Sequence, residues 1–127
     1  MALKVTSWPQ ALSYRVAYQD NATNTASSHI SGVPGSFYAV IIDNSQGTDE
    51  CFLKLVDGIT ATPGTTDPDW MLRCGSGKIE TWSIPEGMPF GHGLSFWLTR
   101  NEVYTDTTVP AVATNGTVKV TVQVSSS

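Results

Sequence analysis

Hydrophobic and polar residues alternate along much of this chain with a period of two, the repeat of a strand whose faces see different surroundings. The strongest block is residues 37–57. Residues 37–42 (Phe-Tyr-Ala-Val-Ile-Ile) are apolar on both alternating faces, which predicts a central strand covered on both sides. A polar stretch, residues 44–49 with Gly47 inside, has the length and composition of a hairpin loop, and a second apolar run carrying Leu53 and Leu55 follows it. Upstream, Leu3 and Val5 alternate with Lys4 and Thr6 in a short strand that stops at Trp8-Pro9. In residues 12–19, Leu12, Tyr14, Val16 and Tyr18 share one face. Residues 20–28 are small and polar, a long loop or a weak edge strand.

Beyond the hairpin, Asp57-Gly58 and Gly75-Ser76-Gly77 mark tight connections on either side of a short strand at residues 70–74. Residues 79–84 alternate weakly, 93–99 clearly, and in 117–124 every even position is valine. Residues 60–69 and 101–114 lack periodicity and read as long loops. Seven or eight short strands without a helical segment predict one domain over residues 1–127, an all-β, two-layer antiparallel β-sandwich of jelly-roll or Ig-like type, with a closed barrel as the alternative. The expected core is Val16, Phe37, Ala39, Ile41, Leu53, Leu55, Leu72, Leu94, Phe96, Leu98, Val118, Val120 and Val122.

Composition narrows the functional classes. Charged residues make up 14% of the 127 and the net charge is −4, with no two of the basic residues adjacent, which argues against nucleic acid. No apolar run has the length of a membrane span, and the N-terminal residues do not read as a signal peptide, so the expected site of synthesis is a cytoplasm. Cys51 and Cys74 then read as buried thiols in preference to a bridge, and their spacing fits no metal site.

Candidate chemistry is sparse. Asp43, Asp49, Glu50, Asp67 and Asp69 sit where calcium ligands or a carboxylate pair could gather, yet lack the alternating spacing of a calcium loop; turn capping explains them better. His29 and His92 are the only histidines, and Gly91-His92-Gly93-Leu94-Ser95 departs from the nucleophile-elbow motif. Asn21 and Asn115 head glycosylation sequons that, without export, are only loops. No catalytic residue, metal or cofactor is implied. The aromatic residues Trp70, Trp82, Trp97 and Tyr104 stand in loops or on nominally outward positions. They are the candidate protein-interface residues, with a sugar-stacking platform as the rival use.

An ordered series adds a resemblance: Phe37-Tyr-Ala-Val-Ile-Ile-Asp-Asn-Ser, Cys51-Phe-Leu-Lys-Leu, Pro63-Gly-Thr-Thr-Asp-Pro-Asp, Pro85-Glu-Gly-Met-Pro-Phe, Gly93-Leu-Ser, and the closing valine strand. Their order over residues 37–124 resembles small β-sandwich virion proteins of tailed bacteriophages. That resemblance implies a non-enzymatic subunit, foremost a head decoration (cement) protein assembled in the host cytoplasm. Its implied partners are the major capsid protein or other virion proteins and further copies of itself, with a trimer favoured. A neck, tail or fibre component is the alternative, then a carbohydrate-binding module, and last a small hydrolase.

Overall fold

The alternating segments become eight strands in a computed structural model that describes residues 14–126: β1 (Tyr14–Gln19), β2 (Ser27–Ser31), β3 (Gly35–Asp43), β4 (Cys51–Val56), β5 (Trp70–Cys74), β6 (Ile79–Phe90), β7 (Leu94–Thr99) and β8 (Lys119–Ser126). The strand expected at Leu3 and Val5, its stop at Trp8-Pro9, and Leu12 lie outside the described residues. The strands form two four-stranded sheets, β1-β8-β3-β6 and β2-β7-β4-β5, in which every neighbouring pair is antiparallel. The pairs β1·β8, β2·β7, β3·β6 and β4·β5 nest inside one another. The chain is therefore one long hairpin bent double, with its tip at the β4–β5 turn, and rolling it up adds the contacts β8·β3 and β7·β4. This is the jelly-roll form of the sandwich.

Residues 44–49 are not a hairpin loop. β3 pairs with β6 and β8, and β4 with β5 and β7, so this segment crosses from one sheet to the other. A polar loop of this length closes a hairpin or spans the end of a sandwich equally well; the choice is made by what the two strands pair with. Asn44 holds the crossing. It is fully buried, and its Nδ2 donates to the carbonyls of Asp49 (2.9 Å) and Gly75 (3.0 Å).

The core differs from expectation in two strands. In β3, Phe37, Val40 and Ile42 point inward, while Ala39 is half-buried and Ile41 is 36% exposed. The cause is a bulge at Tyr38. On β8, Phe37 faces Val124 and Ala39 faces the very next residue, Gln123, so β3 spends one extra residue and its parity flips. On β6, the partners of Phe37 and Ala39 are Met88 and Ser83, and residues 84–87 loop out opposite the bulge. Gly87 makes this possible, with φ +79° and a Cβ direction that would meet the Tyr38 ring at 2.8 Å.

In β1, Val16 is 66% exposed and outside the core. The alternation was legible, but β8 decides which face is inside. Val16 shares its face with Gln123, and Ala17 shares the inward face with Val122. Leu53, Leu55, Leu94, Phe96, Leu98, Val118, Val120 and Val122 are buried as expected, and Leu72 packs half-buried against them. β2 arises where little pattern existed. It meets β7 only at Ser27↔Phe96 and Ser31↔Leu94, with His29 at φ 58° in the raised middle.

Candidate interaction face

The outer faces of the two sheets have opposite fates. On the β2-β7-β4-β5 sheet, Phe52, Lys54, Val56, Ser95, Trp97 and Thr99 alternate with the core residues, and all are buried. Loops cover them. Lys54 Nζ donates to the Val103 carbonyl at 2.6 Å, and the Thr99 hydroxyl to that of Asn101 at 2.8 Å. Asp106 closes the covering strap by accepting from the Asn101 amide and the Thr108 hydroxyl, and Asn24 ties it down through the Thr107 carbonyl. Burial pushes the Lys54 ammonium below its ordinary pKa, and the nearby Asp106 charge partly restores it.

Among the described residues, the β1-β8-β3-β6 sheet has no such cover. Its strands run in cross-strand rows, Val16–Gln123–Ala39–Ser83 and Tyr18–Thr121–Ile41–Thr81, with Lys119–Asp43–Ile79 beside them. Val16 is 66%, Tyr18 60%, Ile79 58% and Ile41 36% exposed. Of the residues in these rows only Asp43 and Lys119 carry charge, and they stand opposite each other. The rest is aliphatic, aromatic, hydroxyl or amide surface.

The four aromatic candidates are not gathered in one place. Trp70 points inward and meets Phe37 of the other sheet edge-on, with ring centroids 5.1 Å apart and planes at 82°. Trp82, opposite Val40, packs half-buried against the core. Both were expected on outward positions. Trp97 does point outward, but the loops leave it 1% exposed, with an Nε1 that has no hydrogen-bond partner among the described residues. Tyr104 alone is well exposed, at 44%, on the strap beside exposed Val103. Sequence reasoning missed Ile79 and placed Val16 and Ile41 in the core. The signal that could have corrected Val16 was the strictly polar outward row of its partner β8.

The polar candidates serve the loops. Asp43 accepts from the Ser45 amide and hydroxyl, which together with Lys119 hold its carboxyl below the ordinary value against a small opposing effect of burial. Asp49 accepts from the Ala111 amide and lies 3.4 Å from Arg100, Glu50 pairs with Arg73 at 2.6 Å, and Asp69 accepts from the Asp57 amide. Among the described residues, no group of three or more His, Cys, Asp or Glu side chains is arranged to hold a metal ion. The Ser95 hydroxyl is buried against the carbonyls of Gly58 and Ile59 and anchors that turn.

Asp57 is the most heavily used carboxylate. It accepts from the backbone amides of Gly91 (2.8 Å), His92 (2.8 Å) and Gly93 (3.4 Å), joining the β4–β5 and β6–β7 connections. Burial acts to raise its pKa, but the three amides and His92 outweigh it and hold the carboxyl below 3.8. A lowered folded-state value gives stability that is fully present above the unfolded carboxylate range and is lost as pH falls through the folded value. Asp57→Asn should therefore be less stable than the parent at neutral pH and lose less on acidification. Urea midpoints measured from pH 6 down to pH 3 check this, and parallel acid slopes for the two proteins would refute it.

Two solved structures of the Tobacco streak virus coat protein are similar to this chain. One matches 90% of this chain and 87% of its own at 12% identity and a TM-score of 0.39. The other, a coat protein dimer, matches 91% and 87% at 14% identity and a TM-score of 0.40. No family model and no curated protein matches.

Proposed function

We propose that this chain is a structural subunit of a virion, in its finer form a head decoration protein of a tailed bacteriophage. It docks through the outer face of the β1-β8-β3-β6 sheet onto the capsid and onto further copies of itself. The observation that carries this reading is the asymmetry of the two outer faces. One is sealed by the chain's own loops. The other leaves Val16, Tyr18, Ile41 and Ile79 in the open with a single pair of opposite charges among its rows. Exposed aliphatic and aromatic side chains set among hydroxyls and amides with little charge make a modestly polar patch of the kind typical of protein contacts.

The jelly roll is shared by capsid proteins, lectins and cupins, so the fold alone does not choose among them. The motif order over residues 37–124 supports the bacteriophage form, and decoration is preferred to a neck, tail or fibre position on that resemblance. A sugar platform built on Trp82 and Trp97 has no access to a ligand, because one points into the core and the other lies beneath the strap. Tyr104, exposed on the strap, is proposed as an accessory contact.

The test is a triple substitution, Val16→Ser, Tyr18→Ser and Ile79→Ser. Exposed positions of this kind change stability by about 0.5 kcal/mol or less each, so the variant should fold. The parent protein should sediment as more than a monomer at micromolar concentration and bind capsids that lack it. The variant should do neither. Undiminished assembly by the variant, or a strictly monomeric parent that leaves such capsids bare, would overturn the reading.

A further inference from the structure

Cys51 on β4 and Cys74 on β5 are directly opposed Cα partners at the start and finish of the hairpin that forms the tip of the roll. Opposed residues of an antiparallel pair send their side chains to the same face, and both cysteines are fully buried within the core as free thiols. Cα atoms of opposed residues lie about 4.5–5.5 Å apart, inside the window of about 4.4–6.8 Å that a disulfide bridges. The two thiols are near enough that Cys74 contributes to the shift of Cys51. Two small hydrophobes filling a core have no need to be register partners.

We infer that Cys51 and Cys74 are a redox-controlled latch, open in a reducing compartment and closed by a disulfide oxidant such as glutathione disulfide, which fastens the edge strand β5 to β4. The inference concerns the hairpin alone and does not depend on what the bare sheet face binds. In the closing reaction a thiolate, foremost that of Cys74 on the edge strand, attacks one sulfur of glutathione disulfide and expels a glutathione thiolate. The second cysteine thiolate then attacks the protein sulfur of the mixed disulfide and expels the second glutathione. Two protein thiols are oxidised, one glutathione disulfide is reduced, and the two thiol protons pass to the departing glutathiones.

The same burial gates the reaction. It is the chief cause that pushes the Cys51 thiol up to about 12 and also raises Cys74, so few thiolates exist while the hairpin is shut. Attack waits for β5 to lift. β5 is suited to that, being a five-residue edge strand with Met71 and Arg73 exposed on its outer side. Once formed, the bond closes a loop of about 24 residues and restricts the unfolded chain.

The experiment uses the intact, reduced protein incubated with glutathione disulfide, then denatured in an alkylating agent and weighed. Two labels are expected before oxidation, and none afterwards with a mass lower by two hydrogens. The melting temperature should rise on the order of 10 °C and return on adding dithiothreitol. The oxidation rate should level off as oxidant is raised, since strand opening becomes limiting. A Cys51→Ala, Cys74→Ala double variant should show no oxidant-dependent shift. Retention of both labels by a protein that forms the bond readily in urea would show that the fold refuses it. That result, a stable singly glutathionylated product, or a disulfide that lowers the melting temperature would each overturn the inference.

Discussion

Truncating Ile42 to alanine should lower folding stability by about 2–5 kcal/mol, the range for emptying a well-packed core position, while truncating its neighbour Ile41 should cost less than about 1 kcal/mol. Ile42 is fully buried on β3 between Val120 of β8 and Glu80 of β6, whereas Ile41 sits on the outer face opposite Thr121 and Thr81. The contrast depends on the bulge at Tyr38. Counting by twos from the buried Phe37 reaches Ile41; the extra residue delivers Ile42 instead. Chemical unfolding of the two variants decides the matter. Equal losses, or a larger loss at Ile41, would mean that β3 runs through the sandwich without the parity change.

The same pair shows what the sequence could and could not disclose. Strands β5, β7 and β8 were legible to within about two residues, because alternation is imposed by the environment on each side chain. The facing of β3 was not, since Tyr38 is an ordinary strand residue. The trace of the bulge lies on the partner strand, where Pro85 and Gly87 interrupt β6, and proline or glycine inside a strand often marks such irregularity. Val16 was misplaced for another reason. Alternation defines two faces but does not label them, and an edge strand takes its inside from its neighbour. Which outer face is left bare was hardest of all to read. Whether Trp97 is exposed depends on residues 101–108, a stretch without periodicity whose fold is set by Asp106 and by its contact with Lys54.

Gly47→Ala should be among the most damaging changes outside the hydrophobic core, at about 3 kcal/mol from steric overlap and the hydrogen bonds it disturbs. A Cβ there would lie 1.8 Å from Asn44 Oδ1, so the constraint is one of space and not of backbone angle. The glycine is also a hub. Its carbonyl accepts from the Gly77 amide (3.2 Å) and the Ser76 hydroxyl (2.9 Å), and it bridges to Val112. Asn44→Ala should itself cost about 2–4 kcal/mol, because the carbonyls of Asp49 and Gly75 lose their donor inside the protein. Combined, the two should cost less than their sum by more than about 1 kcal/mol, since removing the amide vacates the space the new methyl needs. Denaturation midpoints of the four proteins complete the cycle. Strict additivity would show that the approach of Asn44 is not what demands glycine at this position.

The nested pairing also bears on when the protein takes shape. β8, the last of the eight described strands, lies between β1 and β3 and is the one sheet neighbour of β1 among the described residues. Until β8 has emerged from the ribosome, β1 lacks this neighbour, and Val40 and Ile42 of β3 lack the valines that stand opposite them. The β4–β5 hairpin has its partners early, being local, but the first sheet cannot close until translation has passed Val124. Closure of the first sheet therefore waits for the synthesis of β8. The search is dominated by contacts between distant parts of the chain, a topology that places the rate on the order of milliseconds to seconds.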